Sequence, residues 1–205
     1  MLAFNYQLPK TKYRIISFDG GGIRGVLAAT LLHRLTKQCP SLIKNTDLFV
    51  GTSAGSFIAL GLANGLTPYD IKNLFSLENT KKMFAKRRPY YLIRPKYSNR
   101  PLKNLLKEVF PYSLRLTDLQ KRVVIASFKL FCEKSREWEP VFFNNFPSSD
   151  NKLEKVVDVA LSSSAAPVYF PSYYKHIDGG VIANNPDTAG GDPVQFSRRR
   201  FHVFQ

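Results

Sequence analysis

The sequence predicts an α/β layer fold in which strands alternate with helices. Two successive segments carry this prediction, because each runs from an apolar strand through a glycine-containing turn into an apolar helix. They extend from Lys12 to Gln38 and from Asp47 to about Gly65. Such alternation indicates strands that are at least partly parallel. With 205 residues and 44% hydrophobic residues, the chain is expected to form a single domain over residues 1–205.

The first segment begins with a predicted strand from Lys12 to Phe18, followed by the loop Asp19-Gly20-Gly21-Gly22-Ile23-Arg24-Gly25. A helix is then predicted from about Val26 to Gln38, before Pro40. Its apolar residues are Val26, Leu27, Ala29, Leu31, Leu32 and Leu35. Three consecutive glycines can present backbone N–H groups without side chains in the way, which is what an oxyanion hole requires.

The second segment contains Gly51-Thr52-Ser53-Ala54-Gly55 between an apolar strand and an apolar helix. This is the layout of a nucleophile elbow, in which the central serine is exposed at the strand tip. The glycines are needed because larger side chains would collide across the turn. Ser53 would then lie at a helix N-terminus, where N–H groups stabilise developing negative charge. The alternative is that Ser53 only caps the helix.

The remaining chain continues the alternation of strands and helices. Helices are predicted after the Thr67 cap with Pro68 at the first position, around Leu102–Val109, and from about Asn151 to Ser163 with Asp150 as the cap. Leu153, Val156, Val157, Ala160 and Leu161 are expected to face inward. Strands are predicted over Arg122–Phe131, Trp138–Phe143 and Tyr174–Ile177, the last running into Asp178-Gly179-Gly180. The small residues from Ser162 to Pro167 would permit close approach to a neighbouring backbone.

The segment from Lys81 to Arg100 carries eight basic residues and no acidic one, in a chain with a net charge of +15. With the interleaved aromatic residues, they could contact an anionic membrane surface or an anionic substrate, with basic groups at the phosphates. Lys86, Arg87, Arg88, Tyr90 and Tyr91 are the predicted membrane-contact residues. The same composition would serve nucleic-acid binding or a solvated loop.

Composition excludes several other classes. The two cysteines, Cys39 and Cys132, cannot form a disulfide framework, and neither lies in a metal-binding spacing. No apolar run is long enough for a signal peptide or a membrane span. We therefore expect a cytoplasmic protein that associates peripherally with membranes, or one exported without a cleaved signal. No metal or other cofactor is expected.

Three loops follow predicted strands and supply complementary chemical groups: a glycine-rich loop, Ser53 and Asp178. Loops at the carboxyl edge of an α/β sheet are where such folds place ligands. Ser53 is a candidate nucleophile, and Asp178 could accept its proton. Arg24 could support the glycine loop or the anionic part of a substrate.

These motifs, in this order, resemble the patatin-like phospholipase family. The stretch Ser162-Ser163-Ser164-Ala165-Ala166-Pro167-Val168-Tyr169-Phe170-Pro171 also resembles a family segment, so the match covers about residues 14–186. The resemblance implies a three-layer α/β/α sandwich around a mainly parallel sheet. It also implies a phospholipase A-type lipid acyl hydrolase that acts at membranes, favouring a lipid over a nucleic-acid partner.

By the same resemblance, Ser53 is the nucleophile and Asp178 the base of a dyad without histidine. Gly20, Gly21, Gly22, Arg24 and Ala54 form or support the oxyanion hole. The remaining motif glycines are Gly25, Gly51, Gly55, Gly179 and Gly180.

Three other interpretations stay open at this point. Gly20-x-Gly22-x-x-Gly25 matches a dinucleotide fingerprint, although Asp47 begins its strand instead of ending it. Ser53, Asp178 and His202 have the order of an α/β-hydrolase triad. Residues 187–205 depart from the family pattern, as a truncated end would, which would leave a basic binding module with impaired catalysis.

Overall fold

The strands and helices are those of an α/β fold, in a computed structural model that describes residues 12–84, 94–133, 136–187 and 189. The strands are β1 (Ile15–Phe18), β2 (Leu48–Thr52), β3 (Arg122–Lys129), β4 (Glu139–Asn144) and β5 (His176–Asp178). The helices are α1 (Gly25–Gln38), α2 (Leu42–Asn45), α3 (Ala54–Ala63), α4 (Pro68–Leu74), α5 (Leu77–Met83), α6 (Asn99–Val109), α7 (Val156–Ser163) and α8 (Gly180–Ala183). Short 3₁₀ turns cover Gly22–Arg24 and Leu116–Asp118.

The strands make one sheet in the order β1-β2-β3-β4, and β5 also pairs with β3. The first three strands run parallel, whereas β4 and β5 run antiparallel to β3. The predicted α/β fold with a mainly parallel sheet is therefore confirmed.

The two faces of the sheet carry separate apolar clusters, because successive side chains of a strand point to opposite faces. Phe49, Val123 and Ile125 belong to the larger cluster, which the helices cover. Leu48 and Val50 belong to the smaller cluster on the other face, with Phe146. Helix α3 is apolar on all sides, and each of its residues is buried, as expected for a helix enclosed by other elements.

Two predicted helix features are wrong, and tertiary contacts explain both. Helix α7 begins at Val156 after Lys155, and Asp150 does not cap it. The preceding carbonyls of Lys152 and Glu154 instead accept N–H groups from the 3₁₀ turn near Leu116. Leu153, expected inside, is consequently exposed.

Helix α1 is confirmed, and only a narrow face of it is buried. Ala29 and Leu32 are buried, whereas the other apolar residues of the helix are exposed: Val26, Leu27, Leu31 and Leu35.

Helix α4 keeps its predicted start, because Thr67 and Asp70 form a capping box. Within the described ranges, no helix is both long enough and apolar enough to cross a bilayer.

Candidate active site

The serine of the elbow occupies a strained backbone position between β2 and α3. Ser53 has φ 53° and ψ −121°, a region that non-glycine residues rarely adopt and that clusters at functional sites. The turn is compact because β1 crosses it closely. A Cβ atom on Gly55 would lie 2.1 Å from the Phe18 carbonyl oxygen, so only glycine fits there. Gly51 meets the turn itself, since its Cβ would lie 2.5 Å from the Gly55 carbonyl oxygen.

Ser53 and Asp178 form a direct hydrogen bond. The Ser53 Oγ hydroxyl donates to Asp178 Oδ2 at 2.6 Å, and both residues are less than one-tenth exposed, at 8% and 7%. The other carboxylate oxygen, Oδ1, accepts the Gly180 N–H at 2.7 Å. These two contacts fix the carboxylate with one oxygen aimed at the serine.

The pairing register of β3 explains how the two residues meet. Strand β2 occupies one edge of β3 as far as the Thr52–Ala126 pair, and β5 continues beside the next residue with the Ser127–Asp178 pair. Because β2 is parallel to β3 and β5 is antiparallel, their carboxyl ends point at each other. Ser53 and Asp178 therefore lie at two strand ends that meet head to head.

Burial changes the acidity of the Asp178 carboxyl. Removal from water raises the pKa of Asp178 above its ordinary value of 3.8, and the hydrogen bonds from Ser53 and Gly180 oppose this rise. A higher pKa makes the carboxylate a better proton acceptor than an exposed aspartate.

Two backbone amides of the glycine loop already have carbonyl acceptors. Gly20 donates its N–H to the Asn184 carbonyl at 2.9 Å, and Arg24 donates its N–H to the Gly21 carbonyl at 3.0 Å. Neither amide can therefore serve an oxyanion in this arrangement. Within the described chain, no acceptor takes the amides of Gly21, Gly22 or Ala54, all beside Ser53 in the cavity lining.

The glycine loop owes its shape to Gly22 and its position to contacts at Gly25. Gly22 has φ 55°, in the left-handed region that favours glycine. A Cβ on Gly25 would lie 2.6 Å from the Phe75 ring. The Arg24 side chain is exposed at the cavity. Gly179 packs against the Ala126 carbonyl of β3, which leaves no space for a side chain.

Ser163, at the end of α7, supports the site although sequence analysis did not assign it a role. Its Oγ accepts the Ser53 N–H at 2.9 Å, and its carbonyl accepts the Gly179 N–H at 3.1 Å. The small-residue stretch from Ser162 to Pro167 was the available signal, since it predicted close backbone approach. Asn184, which binds Gly20, gave no comparable signal.

A mainly apolar cavity of about 930 Å³ opens at Ser53. Its deeper wall consists of Phe57, Phe75, Met83 and Phe170, all buried. Among the described residues of its lining, the charged side chains are Arg24, Lys81 and Asp178. The cavity is large enough for the acyl part of a lipid, and its lining offers few polar groups to bind a polar ligand.

The remaining predicted residues are either outside the described ranges or, for His33 and His176, away from Ser53. Lys86, Arg87, Arg88, Tyr90 and Tyr91 fall outside the described residues, as does His202. His33 contacts Tyr69 on the α1 surface, 6.1 Å between ring centroids. His176 binds the Tyr174 carbonyl and packs on Phe143, in a second pocket apart from Ser53. In the described ranges, His, Cys, Asp and Glu side chains form no group of three that could hold a metal ion.

Comparison with known proteins identifies the family of this chain. The family model for patatin-like phospholipase matches residues 16–188. This chain belongs to the patatin-like phospholipase family. It is 44% identical over 182 residues to CotR of Bacillus subtilis (strain 168), covering 87% of this chain and 56% of CotR. It is 31% identical over 203 residues to a cGAMP-activated phospholipase of Escherichia coli (strain TW11681), covering 88% of this chain and 55% of that phospholipase.

The patatin-like chain thus spans about half the length of these relatives. Among solved structures, it is similar to VipD from Legionella pneumophila, with a TM-score of 0.53 and 18% identity over 83% of this chain and 46% of VipD. It is also similar to ExoU of Pseudomonas aeruginosa in complex with SpcU, with a TM-score of 0.51 and 17% identity over 78% and 39%. These likenesses show the fold.

The family assignment decides against the dinucleotide interpretation. Asp47 precedes β2, and its Oδ2 accepts the Arg14 N–H at 3.0 Å instead of facing the glycine loop. In the described part of the chain, Ser53 Oγ contacts Asp178 directly, with no histidine between them.

Proposed function

We propose that this protein hydrolyses acyl esters of membrane phospholipids with a Ser53–Asp178 dyad. The hydrogen bond from Ser53 Oγ to Asp178 Oδ2, at the opening of an apolar cavity, is the observation that carries the proposal. Membership of the patatin-like phospholipase family supports the ester substrate.

The mechanism is a double displacement. Asp178 accepts the Ser53 proton as Oγ attacks the ester carbonyl carbon. The N–H groups of Gly21, Gly22 and Ala54 stabilise the oxyanion of the tetrahedral intermediate. Collapse breaks the ester bond, and the departing alkoxide takes the proton from Asp178, which leaves an acyl-enzyme.

Water completes the cycle at the same groups. Asp178 accepts a proton from a water molecule as its oxygen attacks the acyl carbonyl, and the same N–H groups stabilise the second oxyanion. Collapse releases the fatty acid and returns the proton to Ser53 Oγ. The burial of Asp178 favours both proton transfers, because it raises the pKa of the carboxyl.

The proposal is tested with two substrates, a short-chain chromogenic ester and phospholipid vesicles. We expect Ser53→Ala and Asp178→Asn to lower the rate of hydrolysis by a factor of roughly 10²–10⁴, the range for loss of such groups. The surface variants Ser41→Ala and Asp150→Asn serve as matched controls and should retain activity. Labelling by a fluorophosphonate, read by mass spectrometry, should place the adduct on Ser53.

Two results would contradict the proposal. One is full activity in folded Ser53→Ala, and the other is a folded parent with no activity and no labelling. Because a relative is named as cGAMP-activated, each assay is run with and without cGAMP, so that a low basal rate is not taken for a missing site. A folded but inactive parent would favour the basic binding module, which the net charge of +15 motivates.

A further inference from the structure

The residues at the mouth of the cavity are large, apolar and exposed. Ile23, Leu77, Tyr169 and Val181 all line the cavity, and their exposed fractions are 58%, 71%, 48% and 52%. A residue that lines a cavity and is also open to solvent lies at its entrance, so these four residues surround the opening. We call them the apolar rim. Apolar residues grouped at an entrance mark a site of interaction, whereas single exposed ones are ordinary.

Val168, next to Tyr169, is held outward at a conformational cost. It has φ 71°, a region that β-branched residues almost never adopt, and it is 72% exposed. Its carbonyl accepts the Lys96 N–H at 2.9 Å, and the Tyr169 carbonyl accepts the Tyr97 N–H at 2.8 Å. These bonds hold the loop in place. Strain of this kind persists only where the surroundings enforce it, and it clusters at functional segments.

Cationic groups accompany the rim. Arg24 and Lys81 line the cavity, and Lys96 Nζ lies 5.3 Å from the Tyr169 ring centroid. Apart from the catalytic Asp178, the described lining has no carboxylate. An apolar surface with cations beside it matches the boundary between acyl chains and phosphate groups of an anionic bilayer. A protein partner would not require the same surface to enclose a cavity for an acyl chain.

We propose that the apolar rim and Val168 insert into the acyl–headgroup boundary of an anionic phospholipid bilayer. Arg24, Lys81 and Lys96 then lie at the level of the lipid phosphates. A lipid can then pass from the bilayer into the cavity over these apolar side chains. This inference rests on the proposed function, because it assigns the membrane to the same cavity that takes the acyl chain.

The test measures binding separately from catalysis. Sedimentation with phosphatidylglycerol–phosphatidylcholine vesicles is carried out with the full chain in a Ser53→Ala background, so that the vesicles stay intact. The rim variant combines Leu77→Gln with Val168→Asn, because asparagine tolerates positive φ and should not impair folding. The control variant combines Trp138→Gln with Leu153→Gln, two exposed apolar residues that do not line the cavity. Melting temperatures verify folding.

We expect the rim variant to bind vesicles at least ten times more weakly and the control variant to bind as the parent does. Equal binding by the rim variant would overturn the proposal, as would equal losses in both variants. A parent that does not bind these vesicles would overturn it too. If light scattering shows an oligomer that only the rim variant dissociates, without a loss of vesicle binding, the rim is a protein interface instead.

A fluorescence measurement gives a second readout. Trp138 is the one tryptophan of the sequence, so Leu77→Trp in a Trp138→Phe background places a single reporter on the rim. We expect its emission to shift to shorter wavelength with the vesicles, and Leu153→Trp in the same background not to shift. An unshifted reporter on the rim would contradict insertion. Neither readout requires turnover, so failure of the proposed hydrolysis would be seen independently in the ester assay.

Discussion

The two ends of the cavity differ in what forms them: closely packed backbone at one end and exposed side chains at the other. At the catalytic end, backbone meets backbone: the elbow crosses β1 so closely that Gly55 leaves no space for a methyl group. At the entrance, large side chains such as Leu77 and Val168 extend into solvent with few neighbours. The catalytic geometry therefore depends on contacts that allow no enlargement, whereas recognition depends on side chains that can be exchanged.

Replacement of Gly55 by alanine should have the largest effect on the fold. The added Cβ would lie 2.1 Å from the Phe18 carbonyl, so the elbow or β1 must move. We expect a loss of roughly 3 kcal/mol or more in unfolding free energy, at the upper end for overpacking. Gly22→Ala is the matched control. A Cβ at Gly22 would have no neighbour within 4 Å, so only its positive φ is unfavourable, and we expect a loss of about 1 kcal/mol in unfolding free energy. Similar denaturant midpoints for the two variants would contradict the comparison.

Asp178 links activity and stability through pH. The carboxylate form is needed as the base, so kcat/KM should fall as pH decreases through a pKa above 3.8. The buried carboxyl is easier to ionise in the unfolded chain. The stabilising contribution of the protonated Asp178 carboxyl is therefore fully present below pH 3.8. It is lost as pH rises through the higher pKa of the folded state.

Asp178→Asn should accordingly separate the two properties. We expect the variant to lose activity yet to melt at a higher temperature than the parent near neutral pH, and the difference to vanish at pH values below 3.8. Melting curves across this range measure the effect, and exposed Asp150→Asn should leave the curves unchanged. A lower melting temperature for Asp178→Asn near neutral pH would show that the hydrogen bonds to the carboxylate outweigh its burial.

Ser163→Ala should have an intermediate effect on the catalytic end. It removes the acceptor for the Ser53 N–H, and an unsatisfied buried N–H costs about 1–3 kcal/mol. Because this amide helps to hold the strained Ser53 backbone, we expect kcat to fall roughly tenfold, about 1.4 kcal/mol, with a smaller change in KM. Ser162→Ala is the control, since Ser162 is also buried on α7 but lines the second pocket. Equal kinetics for the two variants would refute the role.

The sequence predicts those parts of the site whose geometry is local. The spacing of Gly51, Ser53 and Gly55 specifies an elbow because strand, turn and helix are consecutive. The orientation of β5 is not local: a strand of three residues carries no sign of whether it runs with or against β3. The head-to-head meeting of Ser53 and Asp178 therefore emerges only from the sheet register.

The same distinction explains what the sequence does not show. Three adjacent glycines give no indication that the Gly20 amide binds Asn184, a partner from a distant part of the chain. The apolar pattern of α1 predicts a helix, but it does not show that Leu27 and Leu31 stay exposed. Exposure at the cavity entrance depends on which elements pack nearby, and periodicity contains no such information.

Lys81→Ala should have the smallest effect, and it tests the entrance alone. Lys81 lines the cavity, whereas its neighbour Lys82 forms an ion pair with Glu78 at 2.9 Å outside it. An exposed cation near a lipid phosphate contributes on the order of 0.5–1 kcal/mol. We therefore expect KM for anionic phospholipid vesicles to rise roughly threefold in Lys81→Ala, and much less in Lys82→Ala.

Salt provides the control for this last effect, because screening weakens interactions between exposed charges. The difference between Lys81→Ala and the parent should shrink as ionic strength rises, and kcat should change less than KM. A fall in kcat that salt does not alter would place Lys81 with the rigid catalytic end. The distinction between a catalytic end formed by backbone contacts and an entrance formed by exposed side chains would then be wrong for Lys81.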